Sequence, residues 1–465
     1  MKLLKVHVHN YRHLKDVSLT FEPDLYPQVF AIGSENGGGK STLLQLVFTL
    51  LHCAPHPNLH KFVTNAIQHM KSSLENLEEK IHQIIDIELM DKNEVILISY
   101  LLYPAGLPYQ ENIENPSIGD AINSISLAKS LKNKISSLNS DKSENLQRLS
   151  TKYAVPKASP STADQTRKIE LTLDRARKIQ VTLKSIDKQI RVAQEQLENI
   201  SEEVCHQVLR EANLEFICSM NINSGNSEAS YFNLCCTINH HSSIELHNLL
   251  VNLSKQIFLA GQTTQPYIFL SNENIGDMFN SDKSYEITLE KARLEIGNLY
   301  NFNAFAVNEI IAAFKTALEE DAKSMIQHGY YGSSFSDLTK ELKFILGGNK
   351  EILPTPECDG LKIRYYLDDK NYKELSLGEL SHGELKRVCL YSWIRHNKAT
   401  NSIVLIDEIE NGLHPDWQYQ IVKDLQEWGD NQYILATHSF YLCEALTPRH
   451  VKELAPKMSQ PILNK

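Results

Sequence analysis

Three short stretches of this chain carry residue types that could work on a polyphosphate. The first is Gly33-Ser34-Glu35-Asn36-Gly37-Gly38-Gly39-Lys40-Ser41-Thr42, a glycine-rich run closed by a lysine and two hydroxyls. Consecutive backbone N–H groups wrap a triphosphate only where no Cβ blocks the approach. In such a loop Lys40 reaches the β- and γ-phosphates and Ser41 holds Mg²⁺, with Asn36, Gly37, Gly38, Gly39 and Thr42 completing the cradle. The usual pattern, G-x-x-x-x-G-K-[ST], wants glycine at position 34, where this chain has a serine preceded by Gly33. The second stretch, Ser402 to Glu408 (SIVLIDE), is an apolar run ending in two carboxylates. It would deliver Asp407 to the Mg²⁺ shell and Glu408 to an attacking water. The third, Tyr433 to Ser439 (YILATHS), ends at His438, which taken alone reads as a structural histidine.

Each stretch needs an element to hold it. Val29 to Ile32 predicts a short buried strand and Leu43 to Leu51 a helix, so the glycine run sits between strand and helix. Residues 2–8 alternate as a strand does, as do Val17, Leu19 and Phe21, and residues 84–103 predict a β-hairpin turning at Asp91-Lys92-Asn93. Leu380-Ser381-His382-Gly383-Glu384 opens an amphipathic helix, and a near copy, Leu375 to Glu379, precedes it without a following helical pattern. Further strands are expected at Leu214–Met220, Tyr231–Ile238, Gln256–Ala260 and Tyr267–Leu270, and a helical region at 286–326.

From about Pro116 the texture becomes polar and helical. Ala176, Leu183, Ile190, Leu197 and Val204 fall seven apart, with Ile179, Ile186, Ala193 and Ile200 interleaved. That alternation of three and four is a coiled-coil seam. A first arm carries Ile118, Ile122, Ile125, Leu131, Ile135, Leu138, Leu146 and Leu149, and the turn-rich stretch from Val155 to Asp164 separates the two. Two helices joined so briefly run antiparallel, with arms of roughly 50 Å at ~1.5 Å per residue. Residues 116–200 hold fifteen Lys and Arg against nine Asp and Glu, +6, whereas the whole chain is −10. The reading is either a solvated helical face or a basic arm that touches DNA.

Composition bounds the rest. With 465 residues, 42% hydrophobic and 22% charged, the chain is neither disordered nor fibrous and has room for several domains. Its negative net charge excludes a nucleic-acid-binding surface spread over the whole molecule. No apolar run reaches the ~18 residues needed to span a bilayer, and the N-terminus lacks a signal peptide's apolar core. A cytoplasmic protein with no membrane contact is expected. The eight cysteines form no C-x-x-C pair and read as reduced core thiols. His52, Cys53, His56 and His60 are spaced like metal ligands, but Pro55 and Pro57 forbid the regular helix that would align them.

The ordered set SENGGGKST, LSHGE, VLIDE and ATHS resembles the ATP-binding cassette ATPases. Ser381 to Asp407 spans 26 residues and Asp407 to His438 spans 31, both suited to that head. The opening KVHVHNYRHLKDVSLTF is similar to the first strands of the SMC- and RecF-like branch, and Glu408 to Pro415 (EIENGLHP) to the corresponding segment of OLD-type defence ATPases. Length, a short hairpin and tail architecture resemble the ATPase subunit of Septu anti-phage systems. The fold so implied is α/β: a P-loop ABC-type ATPase head, a mixed sheet with flanking helices, interrupted by an antiparallel coiled-coil hairpin. Its expected parts are an N-terminal lobe (1–115), the hairpin (116–212), a middle part of the head (213–340) and a C-terminal lobe (341–465).

The resemblance implies ATP and Mg²⁺ as cofactors and a homodimer or higher homo-oligomer. Each ATP would lie between Lys40, Ser41 and Asp407 of one subunit and Ser381 and Gly383 of the other. His438 would bond the γ-phosphate and steady the water that Glu408 activates, and Arg12 would lie near the nucleotide. Neither Gln68 nor Gln83 stands in a motif that marks the nucleotide-coupling glutamine. The 27 residues after His438 are too few for an OLD-type nuclease domain, so cutting is expected from an HNH nuclease subunit, with DNA met directly or through the complex. Competing readings are a RecF- or SMC-like repair ATPase without a dedicated nuclease, and a scaffold clamped by ATP that it does not hydrolyse.

Overall fold

The computed structural model describes residues 1–68, 70, 81–104, 117–152, 163–222, 230–239, 246–262, 267–271, 284–302, 306–368 and 371–454. Strands β1 (Lys2–Tyr11), β2 (Leu14–Thr20) and β3 (Val29–Gly33) lead into α1 (Lys40–Phe48) and α2 (His60–Gln68). Next come β4 (His82–Asp91) and β5 (Glu94–Pro104), then the long helices α3 (Ile118–Lys152) and α4 (Ala163–Glu198) and the short α5 (Glu202–Glu211). The middle holds β6 (Leu214–Ile222), β7 (Ser230–Asn239), α6 (Leu246–Ser254), β8 (Ile257–Gln262), α7 (Ser284–Ile296), β9 (Leu299–Phe302), α8 (Ala306–His328) and α9 (Ser334–Ile345). The chain continues through β10 (Lys350–Pro354), β11 (Leu361–Tyr366), β12 (Tyr372–Leu375) and α10 (His382–His396). It closes with β13 (Ile403–Asp407), α11 (Pro415–Glu427), β14 (Gln432–Ala436), α12 (Phe440–Glu444) and β15 (Val451–Glu453).

Strand directions divide between layers. One sheet, ordered β15-β3-β14-β13-β8-β9, is parallel throughout, and a second, β2-β1-β4-β5-β7-β6, is antiparallel. The parallel strands are the continuous apolar runs of the sequence because both of their faces are covered. Phe30, Ile32, Leu259, Leu405 and Ile434 face the core shared with α1, α2 and the antiparallel sheet. Their neighbours Ala31, Phe258, Val404, Ile406 and Leu435 face the opposite core, built with α8, α9 and α10. In the β4–β5 hairpin Lys92 and Asn93 have φ of 46° and 68°, as the two central residues of a primed turn require.

Lys142 of α3 pairs with Asp187 of α4 at 2.7 Å, and Lys132 of α3 pairs with Glu202 at the start of α5 at 2.7 Å. Ile186, Ile190 and Ala193 of the expected seam are buried. The seven-residue spacing outruns the helix, however, since α4 ends at Glu198 and Val204 belongs to α5. On the first arm Ile118 and Leu146 are exposed. The stretch from Val155 lies outside the described residues up to 162. The base of the pair packs on the antiparallel sheet. Ala121, Ile122 and Ile125 form one cluster with Cys205, Leu209, Phe216 and Cys235, and fully buried Asn233 donates to Asn123 at 3.0 Å while accepting from Ser219 at 2.8 Å.

Two expected elements differ. Tyr267–Leu270 is a buried turn rather than a strand, because Leu270 N–H bonds back to Tyr267 O and Ile268 N–H is taken by the Gln45 side chain. The helical region at 286–326 is broken by β9, which adds to the sheet edge after Gly297 and Asn298, both at positive φ, stop α7. A run of four apolar residues reads as buried in any of these elements, and only the partners of the backbone decide.

Candidate nucleotide site

The P-loop joins β3 to α1. Gly39 is the N-cap of α1 at φ 95°, and Gly37 stands at φ 80°, both conformations that glycine adopts without strain. A Cβ on Gly38 would lie 2.3 Å from Ser34 Oγ, and one on Gly39 2.5 Å from His13 Nε2. The first contact shows how serine is tolerated where the motif wants glycine: the missing Cβ across the loop makes the room. Ser34 is also used, since buried Lys40 donates to its carbonyl at 3.1 Å and its hydroxyl at 3.0 Å.

Parallel pairing brings the carboxyl ends of β3, β14 and β13 side by side, and the polar residues that follow each strand converge there. Ser41 Oγ donates to Asp407 Oδ1 at 3.0 Å, and Lys40 Nζ lies 3.4 Å from His438 Nδ1. The His438 N–H donates to Glu410 Oε1 at 2.7 Å. Glu408 follows directly after β13 at φ 52°, with its N–H on Ala436 O and its Oε2 accepting from Asn411 Nδ2 at 2.7 Å. Burial pushes the Asp407 carboxyl up to about 7 against the pull of the Ser41 hydroxyl, with Glu408 and Glu410 adding to the rise and Lys40 opposing it. Burial lowers Lys40, while Asp407, Glu410 and Glu408 hold its proton on. The cradle that a Cβ would fill and a hydroxyl–carboxylate pair beside a buried lysine are the donor set that Mg²⁺ and a triphosphate require.

Asp407 must be ionised to take a cation, so its raised value gives a pH dependence. Below about pH 7 the protonated carboxyl predominates. Mg²⁺-dependent ATP affinity should therefore fall by about tenfold per pH unit as pH drops below that point. A fluorescent ATP analogue titrated at pH 6 and pH 8 should show this difference with Mg²⁺ and not with EDTA. Equal affinities at the two pH values in Mg²⁺ would remove Asp407 from the metal shell.

Ser381 and Gly383 lie elsewhere in the chain. Ser381 is the exposed N-cap of α10 in a capping box: its Oγ accepts from Glu384 N–H at 3.3 Å, and its N–H donates to Glu384 Oε2 at 2.9 Å. Ser376 and Glu379 make the same box in the earlier copy, but only a three-residue 3₁₀ turn follows. Gly383 is needed for packing, since a Cβ there would lie 2.3 Å from the Trp417 ring. Arg12, at φ 55°, is in the β1–β2 turn, which its neighbour His13 seats against Gly39. Asn36 and Gly37 are exposed on the loop, and Thr42 is half-buried.

Sequence reasoning missed three neighbours. Gln262, at the end of β8, donates to Glu408 O at 3.2 Å; no motif surrounds it, and only the β8–β13 pairing puts it there. Gln68 and Gln83 instead bond to Asn221 O and Asp86, in the antiparallel layer. His13 and Glu410 were readable only as parts of longer matches. The histidines near Pro55 take hydrogen-bond partners: His52 meets Ser254 O and Ile296 O, both at 2.8 Å, His56 meets Ser254 Oγ and His60 meets Ala54 O. Among the described residues no group of three or more His, Cys, Asp or Glu is placed to hold a metal ion by itself.

A parallel sheet whose carboxyl edge carries a P-loop lysine, a hydroxyl–aspartate pair and a histidine defines an α/β nucleotide-binding ATPase. The chain belongs to the AAA ATPase domain family AAA_15, whose model matches residues 1–443. It is similar to the retron Vc95 probable ATPase of Vibrio cholerae serotype O1 biovar El Tor, with 38% identity over 114 residues, 22% of this chain and 21% of that protein. It is also similar to the retron Ec83 probable ATPase of Escherichia coli, with 34% identity over 95 residues, 18% of each. The chain thus spans about a fifth of the length of these curated relatives. Among solved structures, an Smc head bound to the C-winged helix domain of ScpA aligns with 96% of this chain and 92% of its own, at TM-score 0.39 and 11% identity. The recombination mediator RecF aligns with 95% of this chain and 93% of its own, at TM-score 0.28 and 13% identity. Among the described residues no helix is long and apolar enough to cross a membrane.

Proposed function

We propose that this chain is the ATP-binding and hydrolysing subunit of an anti-phage defence complex. In this reading two copies close around ATP, and the pair controls or delivers a separate HNH nuclease subunit to DNA. The observation that carries the nucleotide part is the convergence of Lys40 and Ser41 with Asp407 and His438 at one sheet edge, across separations of 366 and 398 residues in sequence. Bound Mg²⁺ would neutralise charge on the β- and γ-phosphates, and Ser41 and Asp407 are the residues that would hold it. The N–H groups of Gly37 to Gly39 and the Lys40 ammonium bind phosphate oxygens. Glu408 accepts the proton of the attacking water, and His438, anchored by Glu410, bonds the γ-phosphate.

Ser381 supports the pairing. It is exposed at a helix N-terminus, where N–H groups favour an anion, and within its own chain it bonds to Glu384 rather than to the P-loop. A partner's nucleotide is the anion that this end would meet. The defence setting and the nuclease partner rest on the Septu resemblance. The coiled-coil arm of residues 116–212, at +6 over 116–200, is the surface offered to DNA or to that partner.

The test uses two variants in one mixture. Lys40→Ala and Ser381→Arg should each inactivate both sites of a homodimer. A mixed dimer keeps one intact composite site, so a 1:1 mixture should recover roughly a quarter of wild-type ATP turnover under twofold symmetry. A mixture no more active than either variant alone rules out the cross-subunit site. In cells, protection from phage should need both Lys40 and the nuclease subunit; a Lys40→Ala strain that resists phage like the wild type rules out the ATP-driven defence role.

A further inference from the structure

Lys386 stands one turn into α10 and is buried. Its ammonium donates to Asn411 O at 2.9 Å and Glu408 O at 3.4 Å, and sits 4.1 Å from the centre of the Phe302 ring on β9. The proposed ATP chemistry calls for no cation at this place, on the main-chain side of the Glu408 turn. A buried ammonium is costly, and burial lowers this one to about 8, with the carboxylates of Glu410 and Glu408 holding the proton on. Yet the hydrogen bonds it makes are to main-chain carbonyls, not to those carboxylates.

A cation that bonds carbonyls holds backbone in place, and this backbone needs holding. Glu408 is at φ 52°, a region that side chains beyond glycine rarely adopt. The Asn411 N–H returns to Glu408 O at 3.3 Å, and Gln262 reaches the same carbonyl at 3.2 Å from β8. Lys386 joins both ends of the turn, Glu408 and Asn411, to the helix that Ser381 begins. We infer that Lys386 is a positioning residue for Glu408: it clamps the Glu408–Asn411 turn from α10 and so fixes where the carboxylate points as the chain leaves β13. This rests on Glu408 being the residue that takes the water's proton.

The experiment compares steady-state ATP turnover of the full chain as wild type, Lys386→Met, Lys386→Arg and Glu408→Gln, with thermal melts of each. Methionine keeps the stem and loses the donors. Lys386→Met should lower kcat by ~10–100-fold, the penalty of a small misplacement of a reacting group, and leave KM for ATP within about twofold. Lys386→Arg, which keeps charge and donors, should recover most of that loss. A kcat within twofold of wild type in a folded Lys386→Met protein overturns the inference, as does a rise in KM that accounts for the whole loss. Should Lys386→Met not fold, the pH profile decides. The groups facing the ammonium are the Glu408 and Glu410 carboxylates and the Phe302 ring. Wild-type kcat should decline as pH rises through about 8, where the ammonium loses its proton. Lys386→Arg, whose guanidinium stays charged, should not decline there; coincident profiles overturn the inference. If wild type turns ATP over and Glu408→Gln does not, the ATPase reading stands whatever Lys386 does; if Glu408→Gln turns over normally, the inference about Lys386 falls with Glu408 as the base, while the ATPase reading stands on another base; no turnover in the wild type overturns the ATPase reading itself.

Discussion

Glu408→Gln should leave ATP bound and stop its hydrolysis, with turnover lower by ~10²–10⁴-fold, the usual contribution of a positioned general base. The substitution is nearly isosteric, and the amide oxygen can still accept from Asn411 Nδ2, which holds Glu408 Oε2 at 2.7 Å. The turn should therefore survive, because its backbone bonds to Ala436, Asn411 and Gln262 do not involve the carboxylate. An amide cannot take a proton at neutral pH, so the water stays unactivated. Affinity for ATP should stay within about threefold, since Glu408 holds neither phosphate nor metal in this reading. The paired state should then outlast that of the wild type on a sizing column run with Mg²⁺ and ATP. Turnover at the wild-type rate would transfer the base to another group, and Glu410, whose Oε2 is buried without a hydrogen-bond partner, would be the next to test.

Lys40→Ala should abolish measurable ATP binding. The ammonium is buried and now bonds Ser34 O, Ser34 Oγ and His438 Nδ1, contacts it can exchange for phosphate oxygens. Charge-assisted hydrogen bonds contribute ~1.5–3 kcal/mol each, so losing two costs at least about 10²-fold in affinity. A second effect adds to the first. Lys40 pulls the Asp407 carboxyl down, and without it that group is held still more firmly protonated, so the cation is also bound less well. Folding should not suffer: burial lowers the Lys40 pKa, so its charged form is disfavoured in the fold and its removal relieves that cost. A melting temperature equal to or above the wild type, with no saturable binding of a fluorescent ATP analogue, is the expected pair of results. Affinity within threefold of wild type would place the phosphates elsewhere.

What the sequence determined by itself is what short-range chemistry encodes. The glycine run before Lys40, the strand ending at Asp407 and the strand ending before His438 are each local patterns, and their order along the chain carried the ATPase reading. The hairpin at Lys92-Asn93 needed only two positive-φ residues between alternating strands, and the burial of Ile186 and Ile190 only one helix's own period. Tertiary structure decided the rest. Ser34 fits because Gly38 opposite has no Cβ, Gln262 reaches Glu408 only through strand pairing, and Lys386 reaches it only through the packing of α10. The seam residues Ile200 and Val204 kept the spacing of a helix that had already ended. Tyr267–Leu270 and a β-strand look alike as four apolar residues, and only the Gln45 side chain on Ile268 N–H separates them. The reason is common to all of these. A backbone or side-chain group is assigned by the partner that satisfies it, and in a sheet whose neighbours are β3, β14, β13 and β8 that partner lies as far as about 400 residues away.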